Sequence, residues 1–251
     1  MNDAPIITVR NLVKKFGNFT AVDNLSFEVY RGEIFGFLGA NGAGKTTAIR
    51  ILSGLSVPTS GDAIVSGFSA KRQPEKIKHV IGYMCQKFSL YEDLTVRENI
   101  TLYGGIYGMS RQLIKKRTGE LFEKLNFEEY SGRLISSLPL GLKQKLAFSV
   151  AVLHDPGIVF LDEPTGGVDP VTRRQFWEMI YETASRGITV FVTTHYMDEA
   201  EYCDRISIMN EGRIVALDTP AQLKLRYNAP SVEEVFVRIA RPSNNNKLTG
   251  N

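Results

Sequence analysis

Hydrophobic positions along the 251-residue chain change period several times, and each change marks an element. Ile7, Val9 and Leu12 alternate with polar neighbours, as do Phe27 and Val29 ahead of the Arg31-Gly32 turn, so residues 6–38 read as short strands. The run 34–38 (Ile-Phe-Gly-Phe-Leu) is apolar throughout and predicts a central strand covered on both faces. A glycine-rich loop follows, then a helix to about Leu55, closed by Gly54 and Pro58. Next come a strand near 63–65, a short helix after Pro74 and a strand at 80–84. From 95 to about 126 the period is helical, broken around 104–110. Leu142, Leu146, Val150 and Leu153 are spaced for a helix over about 142–154. Two buried strands, 158–161 and 188–193, flank an amphipathic helix. Ile206, Ile208, Ile214 and Val215 alternate beyond them, and a last helix lies near 232–239. The order predicts one α/β domain over 1–240, with a central mostly parallel sheet, an antiparallel β lobe and a helical lobe inserted at about 95–155. The polar end, 241–251, is expected to be a disordered tail.

Composition narrows the partners. A formal charge of +3 is too slight for nucleic acid, which asks for a concentrated basic stripe. The amino terminus has no basic head or apolar stretch of a secretory signal, and no apolar run nears the ~20 residues that span a bilayer. Cys85 and Cys203 form no disulfide framework. A cytoplasmic protein is expected, reaching a membrane only through a partner.

Residues 39–46, Gly-Ala-Asn-Gly-Ala-Gly-Lys-Thr, match G-x-x-x-x-G-K-[ST] between a buried strand and a helix. Gly39, Asn41, Gly42, Ala43 and Gly44 would curl the backbone so that its N–H groups face a phosphate, with the helix amino terminus adding its dipole. Lys45 would reach the β- and γ-phosphates, the Thr46 hydroxyl would ligate Mg²⁺, and Thr47 would support the α-phosphate. The chain is expected to bind a nucleoside triphosphate.

The apolar strand 158–161 ends in Asp162-Glu163. A carboxylate there sits beside the phosphate loop of a neighbouring strand, so Asp162 is the expected metal residue. If the pleat continues, Glu163 points the opposite way, free to orient or deprotonate the attacking water. Acids are common at strand ends. Beside a phosphate loop, the pair speaks for hydrolysis.

With these motifs in this order, nearly the whole chain resembles the ATP-binding cassette (ABC) family. The resemblance implies a P-loop NTPase fold and the cofactors ATP and Mg²⁺. Phe16 stands where the family stacks an aromatic on adenine, the alternative being a plain core aromatic. Gln86 is similar to the glutamine that touches Mg²⁺ and water and signals to the membrane partner. Asp169 matches the trans-acting aspartate, and His195, after Val192-Thr193-Thr194, the switch histidine on the γ-phosphate. His79 and His154 read as surface or packing residues. The stretches 163–170, 194–201 and 230–236 resemble drug-exporter ATPases, which implies export.

At the signature, Leu138-Pro139-Leu140-Gly141-Leu142 departs from the family's Leu-Ser-Gly-Gly-Gln. Pro139 removes a hydroxyl donor to the γ-phosphate, a charged hydrogen bond worth roughly 1.5–3 kcal/mol. Proline suits the first turn of a helix, where Gly141 still offers its N–H. Either a partner ATPase with a full signature completes a heterodimer, or Gly141, the helix dipole and Ser136 or Ser137 suffice for a homodimer. Likeness to a form used by some exporter ATPases favours the second. Lys143 and Gln144 are open to a plain solvated-face reading.

The resemblance thus implies a head-to-tail pair of ATPase subunits. Gln86 and the segment 88–99 would pass motion to a transmembrane permease, with Leu90 and Tyr91 lining the docking groove or simply packing. A repair or chromosome-organising ATPase would carry a long coiled coil between Lys45 and Gly141, and no heptads run there. A translation-type ATPase would need a second cassette. Glu163 and His195 speak against a binding-only regulator. A GTPase would show Asn-Lys-x-Asp.

Overall fold

The computed structural model describes residues 4–86 and 90–240. Phe88, the first residue of the expected docking segment, and the tail 241–251 lie outside the described residues.

Strands β1 (Pro5–Phe16) and β2 (Phe19–Tyr30) form a long antiparallel hairpin whose pairing shifts register at several points. Those bulges hide its length in the sequence, because each shift interrupts the two-residue alternation. Strand β3 (Ile34–Gly39) is buried at every residue and feeds α1 (Lys45–Leu52). The helix stops short of Leu55, because Ser53 already leaves helical geometry and Gly54 turns the chain at φ +73°. β4 (Ser60–Val65), β5 (Phe68–Ser69), α2 (Pro74–Val80) and β6 (Ile81–Met84) follow.

The helical lobe holds α3 (Val96–Ile106), α4 (Arg111–Leu125) and α5 (Leu140–Ala151). Thr95 and Glu98 close a reciprocal capping box on α3, while Ser110 caps α4. Then come β7 (Ile158–Asp162), α6 (Pro170–Ser185), β8 (Thr189–Thr194), β9 (Arg205–Asn210) and β10 (Arg213–Asp218). The chain goes on to α7 (Pro220–Arg226), which periodicity overlooks, and α8 (Val232–Ala240). Thr219 capping α7 with Pro220 at its first position was the readable signal.

The small sheet runs β2-β1-β4-β5, all antiparallel. The larger runs β10-β9-β3-β8-β7-β6, parallel except at the β10 edge. An aromatic layer joins them: Phe27 of β2 stacks on Phe35 of β3 with centroids 5.7 Å apart, and Phe37 and Phe191 crowd the same layer. A second core lies between the central sheet, the helical lobe, α6, α7 and α8. Every parallel strand therefore ends at one edge, where loops are free to carry chemistry.

Candidate functional site

Four loops meet at the carboxyl edge of β3, β6, β7 and β8. Gly44 caps α1 at φ +102°, and a Cβ there would lie 2.3 Å from the Ala21 carbonyl oxygen, so only glycine closes this loop. Gly42 also has positive φ, at +84°, with open space around it. Asn41 is exposed, Ala43 buried and Thr47 half-buried in the first turn of α1.

Lys45 is 4% exposed, and its ammonium donates to the carbonyls of Gly39 (2.7 Å) and Ala40 (3.2 Å). Its Nζ lies 3.6 Å from Glu163. Burial pushes the Lys45 pKa down, against the pull of the Glu163 and Asp162 carboxylates.

Asp162 is the last residue of β7, but β7 does not adjoin β3: β8 lies between them. That corrects the expectation of neighbouring strands. Thr193 of β8 bridges the gap, donating to Asp162 Oδ1 at 2.6 Å and accepting the Glu163 N–H at 3.0 Å. Sequence reasoning missed Thr193, which reads as one more buried strand residue. Burial raises the Asp162 pKa, opposed by hydrogen bonds from Thr193 and Thr46 and by Lys45.

The pleat also fails to continue. Glu163 sits at φ +49°, a conformation that costs a non-glycine residue about 1–3 kcal/mol. The turn delivers its carboxylate into the site all the same: Oε2 accepts from Gln86 Nε2 at 3.0 Å and lies 3.1 Å from His195 Nδ1, while Oε1 faces Lys45. Lys45, Thr46, Gln86, Asp162, Glu163 and His195 thus form one cluster.

Gly141 and Asp169 form a second group. Asp169 caps α6 through Val171 N and Thr172 N and accepts the Thr172 hydroxyl at 2.6 Å. These bonds hold the Asp169 pKa below its usual value. A Cβ on Gly141 would lie 2.7 Å from Thr172 Cγ2, so the glycine lets α5 approach that same residue. Pro139 is the N-cap of α5, one step before the first turn expected of it, and offers no side-chain cap. Ser137 donates to the Leu134 carbonyl.

The solvated-face reading of the next two residues is wrong. Gln144 is 4% exposed and its Nε2 donates to the Gly166 carbonyl at 3.2 Å, while Lys143 pairs with Glu92 at 3.3 Å. Phe16, 56% exposed at the end of β1 with Lys14 Nζ 5.1 Å from its ring centre, is not a core aromatic. Leu90 is core and Tyr91 exposed. His154 packs against Tyr107.

The Thr46–Asp162 contact suits Mg²⁺, which takes one or two carboxylates with hydroxyl, water and phosphate oxygens. Among the described residues no group of three His, Cys, Asp or Glu offers a self-sufficient metal cage.

Fold and site together define a P-loop NTPase. The family model described as ABC transporter matches residues 22–166. The chain is 45% identical over 239 residues to "Probable multidrug ABC transporter ATP-binding protein YbhF" of Escherichia coli (strain K12), covering 93% of this chain and 41% of that protein. It is 35% identical to "Linearmycin resistance ATP-binding protein LnrL" of Bacillus subtilis (strain 168), covering 92% and 75% of the two chains. A solved structure described as the ATP binding subunit of an ABC transporter superposes with a TM-score of 0.86 at 28% identity, over 94% of this chain and all 100% of that one. The dimeric ATP-binding cassette MJ0796, bound to ADP and Pi in a post-hydrolysis state, gives 0.77 at 26%, over 85% and 98%. The chain belongs to the ABC transporter family. Its resemblance to exporter ATP-binding proteins extends to "Nod factor export ATP-binding protein I" of Ralstonia nicotianae, at 35% identity over 94% of this chain and 74% of that protein.

Proposed function

We propose that the chain binds ATP with Mg²⁺, hydrolyses it as one half of a head-to-tail dimer and so powers export through a separate transmembrane permease. The observation that carries this is the convergence on Glu163 of Lys45, Gln86 and His195 from three other loops. The loop 39–47 grips the phosphates, with Lys45 moving from its own loop carbonyls to the β- and γ-phosphates. Thr46, Asp162 and Gln86 would hold Mg²⁺, which when bound would supply charge neutralisation for the phosphates. Glu163 takes a proton from the attacking water, His195 holds the γ-phosphate, and Phe16 stacks on the adenine. Gly141 and Asp169 act on the nucleotide held by the opposite subunit.

Export rests on the names of the relatives. Peripheral attachment at the cytoplasmic face, through the permease, accords with the helices: none among the described residues is long and apolar enough to cross a membrane. Tyr91 and Gln86 are both exposed, as this reading asks of residues that meet a permease.

Size exclusion of Glu163→Gln with and without ATP tests the dimer. Blocking hydrolysis should trap a dimer that Lys45→Ala abolishes. A monomer with nucleotide bound would sink the homodimer of isolated subunits and leave the heterodimer reading.

A further inference from the structure

Just behind the catalytic cluster lies a carboxylate that the proposed chemistry does not use. Glu199 is fully buried, in the short turn after β8. Its Oε1 accepts the Thr165 hydroxyl at 2.5 Å and its Oε2 accepts the Thr194 hydroxyl at 2.7 Å. Both threonines are 1% exposed, so neither hydroxyl has water to turn to. Arg173 of α6 brings its Nε to 3.6 Å from Oε1, while its guanidinium also reaches Asp198 at 3.4 Å and lies 4.2 Å from the Tyr196 ring centre.

The placement of the two threonines matters more than the charge balance. Thr165 is two residues past Glu163, and Thr194 immediately precedes His195. The Thr194 oxygen also accepts the Tyr196 N–H at 3.0 Å, so one hydroxyl grips Glu199 and turns the chain at the histidine. A buried charge of this kind gives little stability that an apolar core would not give. What it gives here is geometry, because it spans the two segments whose meeting point is the 3.1 Å approach of His195 Nδ1 to Glu163 Oε2. The strained Glu163 backbone is itself held from β8, its N–H reaching the carbonyl (3.1 Å) and the hydroxyl (3.0 Å) of Thr193, and Glu199 adds a second tie two residues further on through Thr165.

We propose that Glu199 is a positioning residue for ATP hydrolysis, tying the segment after β7 to the segment after β8 and so fixing His195 against Glu163. The inference rests on the reading of this chain as an ATPase. The competing role is plain charge balance for Arg173.

Steady-state hydrolysis, ATP affinity by calorimetry and thermal melting of Thr165→Val, Thr194→Val and Glu199→Gln separate the two. The valines keep shape and fold while each removes one tie. Each valine should lower kcat about tenfold, inside the ~100-fold that a 1 Å misplacement can cost, with ATP affinity held within about twofold. Glu199→Gln should fall at least as far. Combined with Thr194→Val it should fall no further than the worse single variant, since both cut the same tie. Folded valine variants with wild-type kcat overturn the proposal, as does a Glu199→Gln that melts lower yet turns over normally. Failure of the ATPase reading looks different: wild-type chain that binds no ATP, or a Glu163→Gln that hydrolyses at the wild-type rate.

Discussion

A histidine facing a tyrosine ring instead of water makes stability depend on pH. His154 stacks on Tyr107 with centroids 3.8 Å apart, and burial pushes its pKa down to about 4. In the unfolded chain the imidazole titrates near ~6.5, so the unfolded state takes the proton first as the pH falls. The contribution to stability is whole above ~6.5, shrinks through the window down to about 4, and changes no further below it. His154→Phe keeps the ring and removes the titration. Its melting temperature should therefore depend less on pH between 7 and 4 than that of the wild-type chain. Equal slopes in the two proteins would show that His154 is free to protonate in the folded state. Glu163 is the contrasting residue: its motif is plain in the sequence, yet the backbone turn that aims it is not. A strand pattern carries no sign of the positive φ that ends it.

At the scale of elements, α5 shows how a departure in sequence becomes a local cost. Its N-cap is Pro139, which accepts the Leu142 and Lys143 N–H groups at its carbonyl but has no side-chain oxygen to offer. Pro139→Ser supplies one, and a serine cap is worth about 1 kcal/mol. The variant should unfold later in urea by about that amount, and the proposed ATP-dependent dimer should tighten if the same hydroxyl reaches the γ-phosphate held by the opposite subunit. A gain in stability with no change in dimerisation would separate the two effects. Where β6 passes α5, a Cβ on Gly82 would lie 2.2 Å from the Ala151 carbonyl. Gly82→Ala must part strand from helix, so a loss of at least the ~1–3 kcal/mol of ordinary overpacking is expected in the same urea titration. Elements with one clean period were legible in the sequence: β3, β7, β8, α3 and α4 fall within a few residues of the pattern. Two kinds were not. The bulged β1–β2 hairpin breaks its own alternation, and α7 is too short for a helical period to show. Among candidate site residues, the phosphate loop showed in the spacing itself, and Asp162-Glu163 stood out only in its company. Thr193, Gln144 and Thr172 were not legible, because what they do depends on which strand or helix lies beside them.

Across the whole molecule, the helical lobe meets the rest along a charged seam over an apolar floor. Asp155 pairs with Arg117 of α4 and with Arg186 just past α6, and Lys124 pairs with Glu182. Beneath them Leu121, Phe148, Val152 and Met179 line a cavity of about 330 Å³. The charged side chains are each a third or more open to solvent or close to it, where an ion pair is worth about 0–1 kcal/mol and salt screens it. The floor is different in kind: Leu121 is 8% exposed, and Phe148 meets Phe176 of α6 edge-on at 5.2 Å. Removing a buried leucine side chain costs about 2–5 kcal/mol. Asp155→Asn, whose amide tolerates the residue's φ of +51°, should therefore cost less than about 1 kcal/mol, and the difference should vanish near ~0.5 M salt. Leu121→Ala should cost several times more at any salt concentration. Urea titrations of both variants at two ionic strengths decide the point. If Asp155→Asn proved the costlier change and kept its cost in salt, the lobe would be locked by its charges. If Leu121→Ala is the costlier change at both ionic strengths, the charged seam sets only the registry of the lobe, and the packing below it supplies the hold.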